Sequence, residues 1–217
     1  MIKFIPYEVK TGQENMQIDS DLLDYAIENK LQYPIFRLYG WSPACISLGR
    51  NQDDSFINKQ FLKDTGIDLV RRLTGGRALL HDNEITYSFI CPQVYLKNGE
   101  NVTKSYIEIS QILINKFKKI GIQLDFGGEK KVNTKFDYCM LISTGADLCC
   151  NGKKLIGSAQ CRKNSYILQH GSILYDYNKN LLEKIFHENV NTNSITSIRE
   201  INSDIRKEDI IHLFSEF

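Results

Sequence analysis

Two stretches of the sequence combine residue types that could carry chemistry. Residues 70–81 read VRRLTGGRALLH and set a glycine pair among arginines, ahead of His81. Residues 152–162 read GKKLIGSAQCR and place three small residues shortly after Lys154. The glycine pair fits neither the G-x-x-x-x-G-K-[ST] nor the G-x-G-x-x-G phosphate-binding pattern. The pattern therefore indicates either ordinary turns or a backbone that a ligand approaches closely.

A third stretch, QHGSIL at residues 169–174, joins His170 and Gly171 to an apolar strand. A buried, hydrogen-bonded core histidine is the commoner fate of such a residue. Similarly, Lys154 alone is as readily an exposed strand-edge charge as a site residue. Its segment should be largely enclosed, however, which favours a role in a site.

Thiol chemistry is open to a chain with six cysteines, namely Cys45, Cys91, Cys139, Cys149, Cys150 and Cys161. None is spaced C-x-x-C and the four histidines are scattered, so we expect no metal site. Most of these thiols should be buried packing groups. A thiol with the usual pKa of about 8.5 is only a few per cent ionised at neutral pH. An ammonium about 4 Å away favours the thiolate by roughly 4 kcal/mol at an effective dielectric of 20, so a Cys–Lys pair is physically sufficient.

The elements that must position these residues follow from hydrophobic periodicity. A helix is predicted over residues 15–30, with Met16, Asp19, Leu22, Leu23, Ala26 and Ile27 near one face. A second spans 102–120, and a short one spans 56–66 with Gly66 as its stop signal. Strands are predicted at 3–9, 34–41, 44–50, 68–73, 78–81 and 84–92, with hairpin turns at Asn151-Gly152 and Lys163-Asn164. The predicted fold is mixed α/β, with a largely antiparallel sheet and flanking helices.

Bulk composition excludes several classes of protein. The 217 residues carry 27 basic and 26 acidic side chains, so no nucleic-acid or membrane-surface field is expected. The N-terminus lacks the apolar core of a signal peptide, and no apolar run approaches membrane-spanning length. Without a linker or an internal repeat, residues 1–217 are predicted to form one domain in the cytoplasm.

Taken together, the motifs resemble those of a known family. RRLTGGRALLH, TYS, GKKLIGSAQCR and LQHGSIL occur in an order and spacing similar to the biotin/lipoate-protein ligase A superfamily. Within it, the octanoyl-[acyl-carrier-protein]:protein N-octanoyltransferases are the most similar in pattern. The stretches NMQIDSDLL, WSPACISLGRNQ and SITSIREI extend the resemblance over nearly the whole chain.

The resemblance implies a biotin/lipoate-protein ligase-like catalytic domain that moves an octanoyl group in lipoate biosynthesis. It implies Cys139, fifteen positions before Lys154, as the nucleophile and Lys154 as its partner in proton transfer. The donor would be octanoyl-acyl carrier protein, and the acceptors the glycine-cleavage H protein and dehydrogenase E2 lipoyl domains, with no cofactor required. The implied substrate-binding residues are Arg72, Thr74, Gly75, Gly76, Arg77, His81, Gly157, Ser158, Ala159, His170 and Gly171.

Other activities remain open at this point. An ATP-dependent lipoate–protein ligase would use the same glycine segment and Lys154 to hold an acyl-adenylate, with ATP and Mg²⁺ required. An amidotransferase would move octanoyl groups between lipoyl-bearing proteins with the same residues. A binding module would hold the acyl group without turnover, leaving Cys139 and Lys154 unused.

Overall fold

The computed structural model describes residues 2–128, 147–186 and 192–216. Within these ranges, a seven-stranded and a three-stranded sheet are packed with helices. The strands are β1 (Lys3–Lys10), β2 (Ile35–Trp41), β3 (Cys45–Leu48), β4 (Asp68–Arg71), β5 (Leu79–His81), β6 (Glu84–Pro92), β7 (Asp125–Phe126), β8 (Leu148–Cys150), β9 (Lys153–Lys163) and β10 (Tyr166–Leu174). The α-helices are α1 (Gly12–Glu28), α2 (Lys59–Thr65), α3 (Val102–Lys118), α4 (Lys179–Phe186), α5 (Ile198–Ile201) and α6 (Lys207–Ser215).

The large sheet has the strand order β1-β2-β6-β10-β9-β8-β7. Its β1–β2 pair is parallel, and its other neighbouring pairs are antiparallel. The small sheet has the order β4-β3-β5, with one parallel and one antiparallel pair. The predicted mixed α/β fold with a largely antiparallel sheet is therefore confirmed.

The two central strands, β6 and β10, are buried at every position. An aromatic stack holds this part of the core, because Phe36 on β2 lies parallel to Tyr87 on β6 and to Phe214 on α6. Their ring centroids are 6.0 Å and 5.3 Å from that of Phe36. Aromatic pairs of this kind contribute roughly 0.5–1.5 kcal/mol beyond the area they bury. The aromatic stack thus connects β2 and β6 to α6.

Helix α1 begins at a capping box. The Thr11 hydroxyl accepts a hydrogen bond from the Glu14 N–H, and the Glu14 carboxylate accepts one from the Thr11 N–H. The predicted helix is confirmed, and Leu23 and Ala26 enter the core as expected. Asp19 is buried on the same side of the helix, so α1 also brings a carboxylate into the interior.

Two tight hairpins connect β8 to β9 and β9 to β10. Asn151 and Gly152 have φ of 50° and 74°, and Asn164 and Ser165 have φ of 47° and 64°. Two consecutive positive φ values match the twist of paired strands, and asparagine and glycine tolerate them best. The second turn lies one residue later than predicted, because β9 continues through Lys163.

Other element boundaries differ slightly from the sequence predictions. Gly66, with φ of 67°, ends α2 as expected, but this helix begins at Lys59 because the Asn58 side chain caps it by accepting from the Phe61 N–H. Strand β2 ends at Trp41 as predicted, whereas β3 is shorter than predicted and ends at Leu48. None of the helices in the described ranges is both long enough and apolar enough to span a bilayer.

Candidate active site

A cavity lies between the two sheets and is bounded by the stretches that the sequence singled out. It holds about 500 Å³ of empty space, counted out to the solvent at its mouth. The lining residues are Met16, Tyr39, Trp41, Ser47, Arg72, Gly76, Leu79, His81, Thr86, Gly157, Ser158, Ala159, His170, Gly171 and Ser172.

Most of the predicted substrate-binding residues line this cavity. They are Arg72, Gly76, His81, Gly157, Ser158, Ala159, His170 and Gly171. The other three, Thr74, Gly75 and Arg77, are not among its lining residues and contact Arg72. The Arg72 guanidinium donates to the Thr74 hydroxyl at 3.2 Å and to the carbonyl oxygens of Gly75 and Arg77 at 2.9 and 2.8 Å. Arg72 thereby fixes the course of the glycine segment.

Sequence reasoning assigned no site role to seven of the lining residues, namely Met16, Tyr39, Trp41, Ser47, Leu79, Thr86 and Ser172. Met16, Trp41 and Ser47 lie in stretches that carried the family resemblance, so a signal for them was present. Leu79, Thr86 and Ser172 also lie in such stretches, whereas Tyr39 lies outside them. Thr86 and Ser172 are in addition polar residues within the apolar strands β6 and β10.

One wall of the cavity is the pair of strands β9 and β10, with Ser158 opposite Gly171. A Cβ atom at Gly171 would lie 2.6 Å from Tyr87 Cε1 and 2.7 Å from the Gly157 carbonyl oxygen. Any side chain at position 171 would therefore force its neighbours apart. Glycine in these strands lets neighbouring atoms approach the backbone, so that this part of the wall carries almost no side chains.

The glycine pair at the start of the second wall is explained by contact with the end of β3. Gly76 has φ of 97°, a conformation that other residues rarely adopt. A Cβ atom at Gly49 would overlap the Gly76 carbonyl oxygen. The loop therefore serves both to turn the chain and to let two backbone segments touch, which sets the position of this wall.

The buried polar groups of the lining bind one another and Glu84, which does not itself line the cavity. Arg72 donates to the Ser47 carbonyl at 2.9 Å and to the Ser47 hydroxyl at 3.2 Å. The Ser47 hydroxyl lies 2.8 Å from His81 Nε2, and His81 Nδ1 lies 3.4 Å from a Glu84 oxygen. The Glu84 carboxylate also accepts from the hydroxyls of Thr86 and Ser172, at 2.8 and 2.6 Å. Since Glu84 is an acceptor, His81 carries its proton on Nδ1 and accepts from Ser47 at Nε2.

A second cluster of buried groups is centred on Asp19. Its carboxylate accepts hydrogen bonds from Arg37 at 2.9 Å, from the Tyr39 hydroxyl at 2.9 Å and from His170 Nδ1 at 3.3 Å. The other nitrogen of His170 lies 2.7 Å from the Thr74 hydroxyl oxygen, which joins this cluster to Arg72. Asp19 and Arg37 thus form an ion pair that is almost inaccessible to solvent.

These partnerships leave the cavity with a mostly apolar surface. Among the described residues, the buried side-chain polar atoms without a hydrogen-bond partner belong to Ser88 and Ser110, and neither lines the cavity. The Trp41 indole donates to Thr86 at 2.8 Å and stacks on the His81 ring at a centroid distance of 3.9 Å. A ligand with many hydrogen-bonding groups would find few free partners here, whereas an alkyl chain needs none.

Lys154 is only 1% exposed, which confirms that its segment is enclosed. Its ammonium lies 3.0 Å from the Asp147 carboxylate, and its carbonyl accepts from the Thr196 N–H at 2.9 Å. Burying such a charge costs several kcal/mol, so a lysine is rarely placed there for packing alone. Cys139 lies outside the described residues, and its meeting with Lys154 stays a prediction.

The other cysteines have the character of packing groups. Burial raises the pKa of the Cys91 thiol to about 12 and that of the Cys161 thiol to about 11. Burial also raises the pKa of Cys45 and Cys150. Such thiols stay protonated and weakly nucleophilic at neutral pH. Cys149 is buried as well.

The stability of the fold should depend on pH through His81. Burial lowers its pKa below the usual 6.5, against the opposing effect of Glu84, with Arg72 and His170 lowering it further. The unfolded chain therefore binds the proton more readily than the folded one. Neutral His81 makes its full contribution to the free energy of unfolding above about pH 6.5, and this contribution is lost as the pH falls through the pKa of His81 in the folded protein. When the pH falls from 7.5 to 5.5, we expect the free energy of unfolding of His81→Gln to decrease by about 1 kcal/mol less than that of the wild type, as measured by urea unfolding. The exposed His212→Gln variant is the control and should follow the wild type; equal slopes for all three would contradict the prediction.

Comparison with known proteins identifies the family. Residues 11–216 match the family described as the lipoyl protein ligase A/B catalytic domain, and the chain belongs to it. Octanoyltransferase LipM of Geobacillus kaustophilus is 38% identical over 180 residues, which cover 79% of this chain and 64% of that protein. Octanoyltransferase LipM of Moorella thermoacetica is 32% identical over 223 residues, covering 93% of this chain and 80% of that protein. The chain thus spans a little under two thirds of the Geobacillus relative's length.

Solved structures agree on the fold. A putative lipoate protein ligase from Thermoplasma acidophilum, with bound lipoic acid, superposes with a TM-score of 0.77 over 98% of this chain and 82% of its own, at 19% identity. A lipoate-protein ligase A bound with ATP gives a TM-score of 0.76 over the same shares of the two chains, also at 19% identity. These likenesses establish the lipoate-protein ligase catalytic fold predicted from the motifs.

Proposed function

We propose that this protein transfers an octanoyl group to the side-chain amine of a lysine on a lipoyl-accepting protein. The observation that carries the proposal is the apolar cavity, whose polar lining groups already bind one another. An octanoyl chain gains roughly 5 kcal/mol from burial at about 0.8 kcal/mol per methylene, and it asks for no hydrogen bonds along its length. The LipM relatives at 32% and 38% identity support the same acyl group.

The proposed reaction has two acyl transfers. The Cys139 thiolate attacks the thioester carbonyl of octanoyl-acyl carrier protein, forms an octanoyl-enzyme thioester and releases the carrier thiol. The acceptor lysine, as a neutral amine, then attacks this thioester, forms the amide and returns the cysteine as a thiolate. Lys154 would favour the Cys139 thiolate and pass protons to the leaving thiol and from the incoming amine. Backbone N–H groups near Gly76 and Gly157 are proposed to hold the oxyanion.

The buried ammonium of Lys154 supports this scheme. It lies on β9, the strand that contributes Gly157 to Ala159 to the cavity wall. A charge in low-dielectric surroundings acts on a neighbouring thiol more strongly than one in water. The position therefore suits a group that has to stabilise a thiolate next to a buried acyl chain.

The proposed partners follow from the chemistry. The donor is octanoyl-acyl carrier protein, and the acceptors are the glycine-cleavage H protein and dehydrogenase E2 lipoyl domains. The reaction needs no metal or nucleotide, because the thioester is already activated. We accordingly propose a cytoplasmic location, with neither nucleic acid nor a membrane taking part.

Intact-mass measurement after mixing with octanoyl-acyl carrier protein tests the covalent step. We expect the wild type to gain the mass of one octanoyl group without ATP, and Cys139→Ala to gain none, because the thioester then has no sulfur to form on. Cys161→Ala removes a different thiol, one that is only partly buried, and should keep the adduct. A Cys139→Ala variant that transfers octanoyl at the wild-type rate would overturn the covalent route.

The same assay separates the alternatives. Transfer of lipoate that depends on ATP would indicate a ligase, and transfer from an octanoylated protein alone would indicate an amidotransferase. Acyl binding without turnover from any of these donors would indicate a binding module.

A further inference from the structure

Met16 separates two hollows in the structure. It lines the acyl cavity together with Tyr39 and Trp41. It also lines a groove on the outside of the molecule, where α1 passes over β4 and where Leu69, Val70 and Leu73 contribute apolar surface. Of the residues lining the two hollows, Met16 is the one they share. Its side chain therefore forms part of the partition between them.

The packing of α1 explains why one side chain can fill this partition. At Gly12, one turn before Met16, a Cβ atom would lie 2.5 Å from Cys45 Sγ and 3.0 Å from a Val70 methyl carbon. The helix backbone thus approaches β3 and β4 closely at its start. Met16 lies on the same side one turn later and packs against the cluster of Tyr39, Trp41 and Cys45, which Val70 also contacts.

The strand order gives the direction of a bound acyl chain. The cavity is lined from β2, β6, β10 and β9, which are consecutive in the large sheet. Three strand spacings separate β2 from β9, a distance of roughly 14 Å. Lys154 is on β9, whereas Tyr39 and Trp41 are on β2. A thioester held near Lys154 therefore directs the methyl end of the chain towards β2 and Met16.

We propose that Met16 determines the length of acyl chain that the protein accepts, by closing the methyl end of the cavity off from the outer groove. The inference rests on the proposed octanoyl transfer for the direction of the chain. Removing the thioether joins the cavity to a groove whose apolar residues receive additional methylenes. The same position filled by an apolar side chain of similar volume keeps the cavity closed.

The test compares octanoyl and dodecanoyl thioesters of acyl carrier protein as competing donors for wild type, Met16→Ala and Met16→Leu. Each methylene moved from water into apolar surroundings contributes about a factor of four, so we expect Met16→Ala to raise the dodecanoyl-to-octanoyl ratio of kcat/KM by about tenfold or more. Met16→Leu, of similar volume, should keep the wild-type ratio. Leu73 lines the groove but not the cavity. Leu73→Ser should therefore change the dodecanoyl-to-octanoyl ratio in the Met16→Ala background but not in the wild type.

Three outcomes overturn the inference or separate it from the proposed function. An unchanged ratio in Met16→Ala, with a melting temperature near that of the wild type, overturns it. If Met16→Ala does not fold, Met16→Val takes its place, and the same outcome applies. If the wild type transfers no octanoyl group, the proposed function fails, and thermal shifts with free octanoate and dodecanoate then test the role of Met16. A larger shift with dodecanoate in Met16→Ala but not in the wild type supports that role. An equal preference for the two fatty acids in all variants overturns it.

Discussion

Replacing Lys154 with methionine is expected to lower the rate of octanoyl transfer by about 10²- to 10⁴-fold, the usual range for a general acid–base group. The same change should destabilise the fold by about 3–5 kcal/mol, because it removes the ammonium partner of a carboxylate that is itself buried. That carboxylate belongs to Asp147, 3% exposed and 3.0 Å from the Lys154 nitrogen. Single-turnover transfer assays and urea unfolding measure the two effects on the same variant.

The two effects can be separated with a second substitution. In Lys154→Met/Asp147→Asn, the buried carboxylate becomes a neutral amide, and we expect much of the lost stability to return. Transfer should stay low, because the amide restores neither the ammonium nor its proton. If the double variant regains the wild-type rate, Lys154 serves to balance Asp147 and has no part in the chemistry.

Replacing Asp19 with alanine is expected to reduce the free energy of unfolding at pH 7 by about 3–5 kcal/mol, because Arg37 then keeps a buried charge without its carboxylate. Arg37 is 3% exposed and Asp19 is 1% exposed, so water cannot take over the lost interaction. Tyr39 and His170 lose the same acceptor. The loss should appear as a lower urea midpoint with little change in the slope.

The stability that Asp19 provides should disappear at acid pH. Burial alone would raise its pKa, but the hydrogen bond and charge of His170, together with Arg37 and Tyr39, outweigh burial and hold the pKa below the usual value. Because this pKa is lowered on folding, ionised Asp19 makes its full contribution to the free energy of unfolding above about pH 3.9, the pKa of aspartate in the unfolded chain. The contribution is lost as the pH falls through the pKa of Asp19 in the folded protein. The gap between wild type and Asp19→Ala should therefore narrow below about pH 4.

Asp21 supplies a matched control on the same helix. Its side chain is exposed and accepts a hydrogen bond from Gln17 at 2.7 Å. We expect Asp21→Ala to change the stability by no more than about 0.5 kcal/mol, as exposed substitutions usually do. A similar small effect for Asp19→Ala would show that Arg37 finds adequate partners elsewhere and would contradict the prediction.

Local sequence patterns predicted most of the elements. The run Glu84 to Pro92 indicated a buried strand, and Asn151-Gly152 indicated a hairpin, because both signals act over a few neighbouring residues. The errors lie at boundaries, where a cap such as Asn58 or a continuing strand such as β9 decides the last residues. Those contacts involve side-chain geometry that hydrophobic periodicity does not encode.

The site was predicted in part for a similar reason. Glycines and arginines in short motifs pointed to one wall and to Arg72, and an enclosed segment pointed to Lys154. The contact between Asp19 and His170 joins residues 151 positions apart, and no spacing rule relates them. Trp41 and Met16 lie in stretches that carried the family resemblance, but no site role was assigned to them, because an apolar lining and an apolar core have the same composition.

The hydrogen bonds that the buried polar residues make to one another have a thermodynamic consequence for turnover. Arg72, His81 and His170 are held in place before any substrate arrives, so their conformational entropy is lost once, when the chain folds. In the proposed reaction, an incoming acyl chain meets a cavity that is already shaped, and its own immobilisation and dehydration govern the free energy of binding. Such binding should carry the negative heat-capacity change of apolar burial while the backbone of the central strands stays as it was.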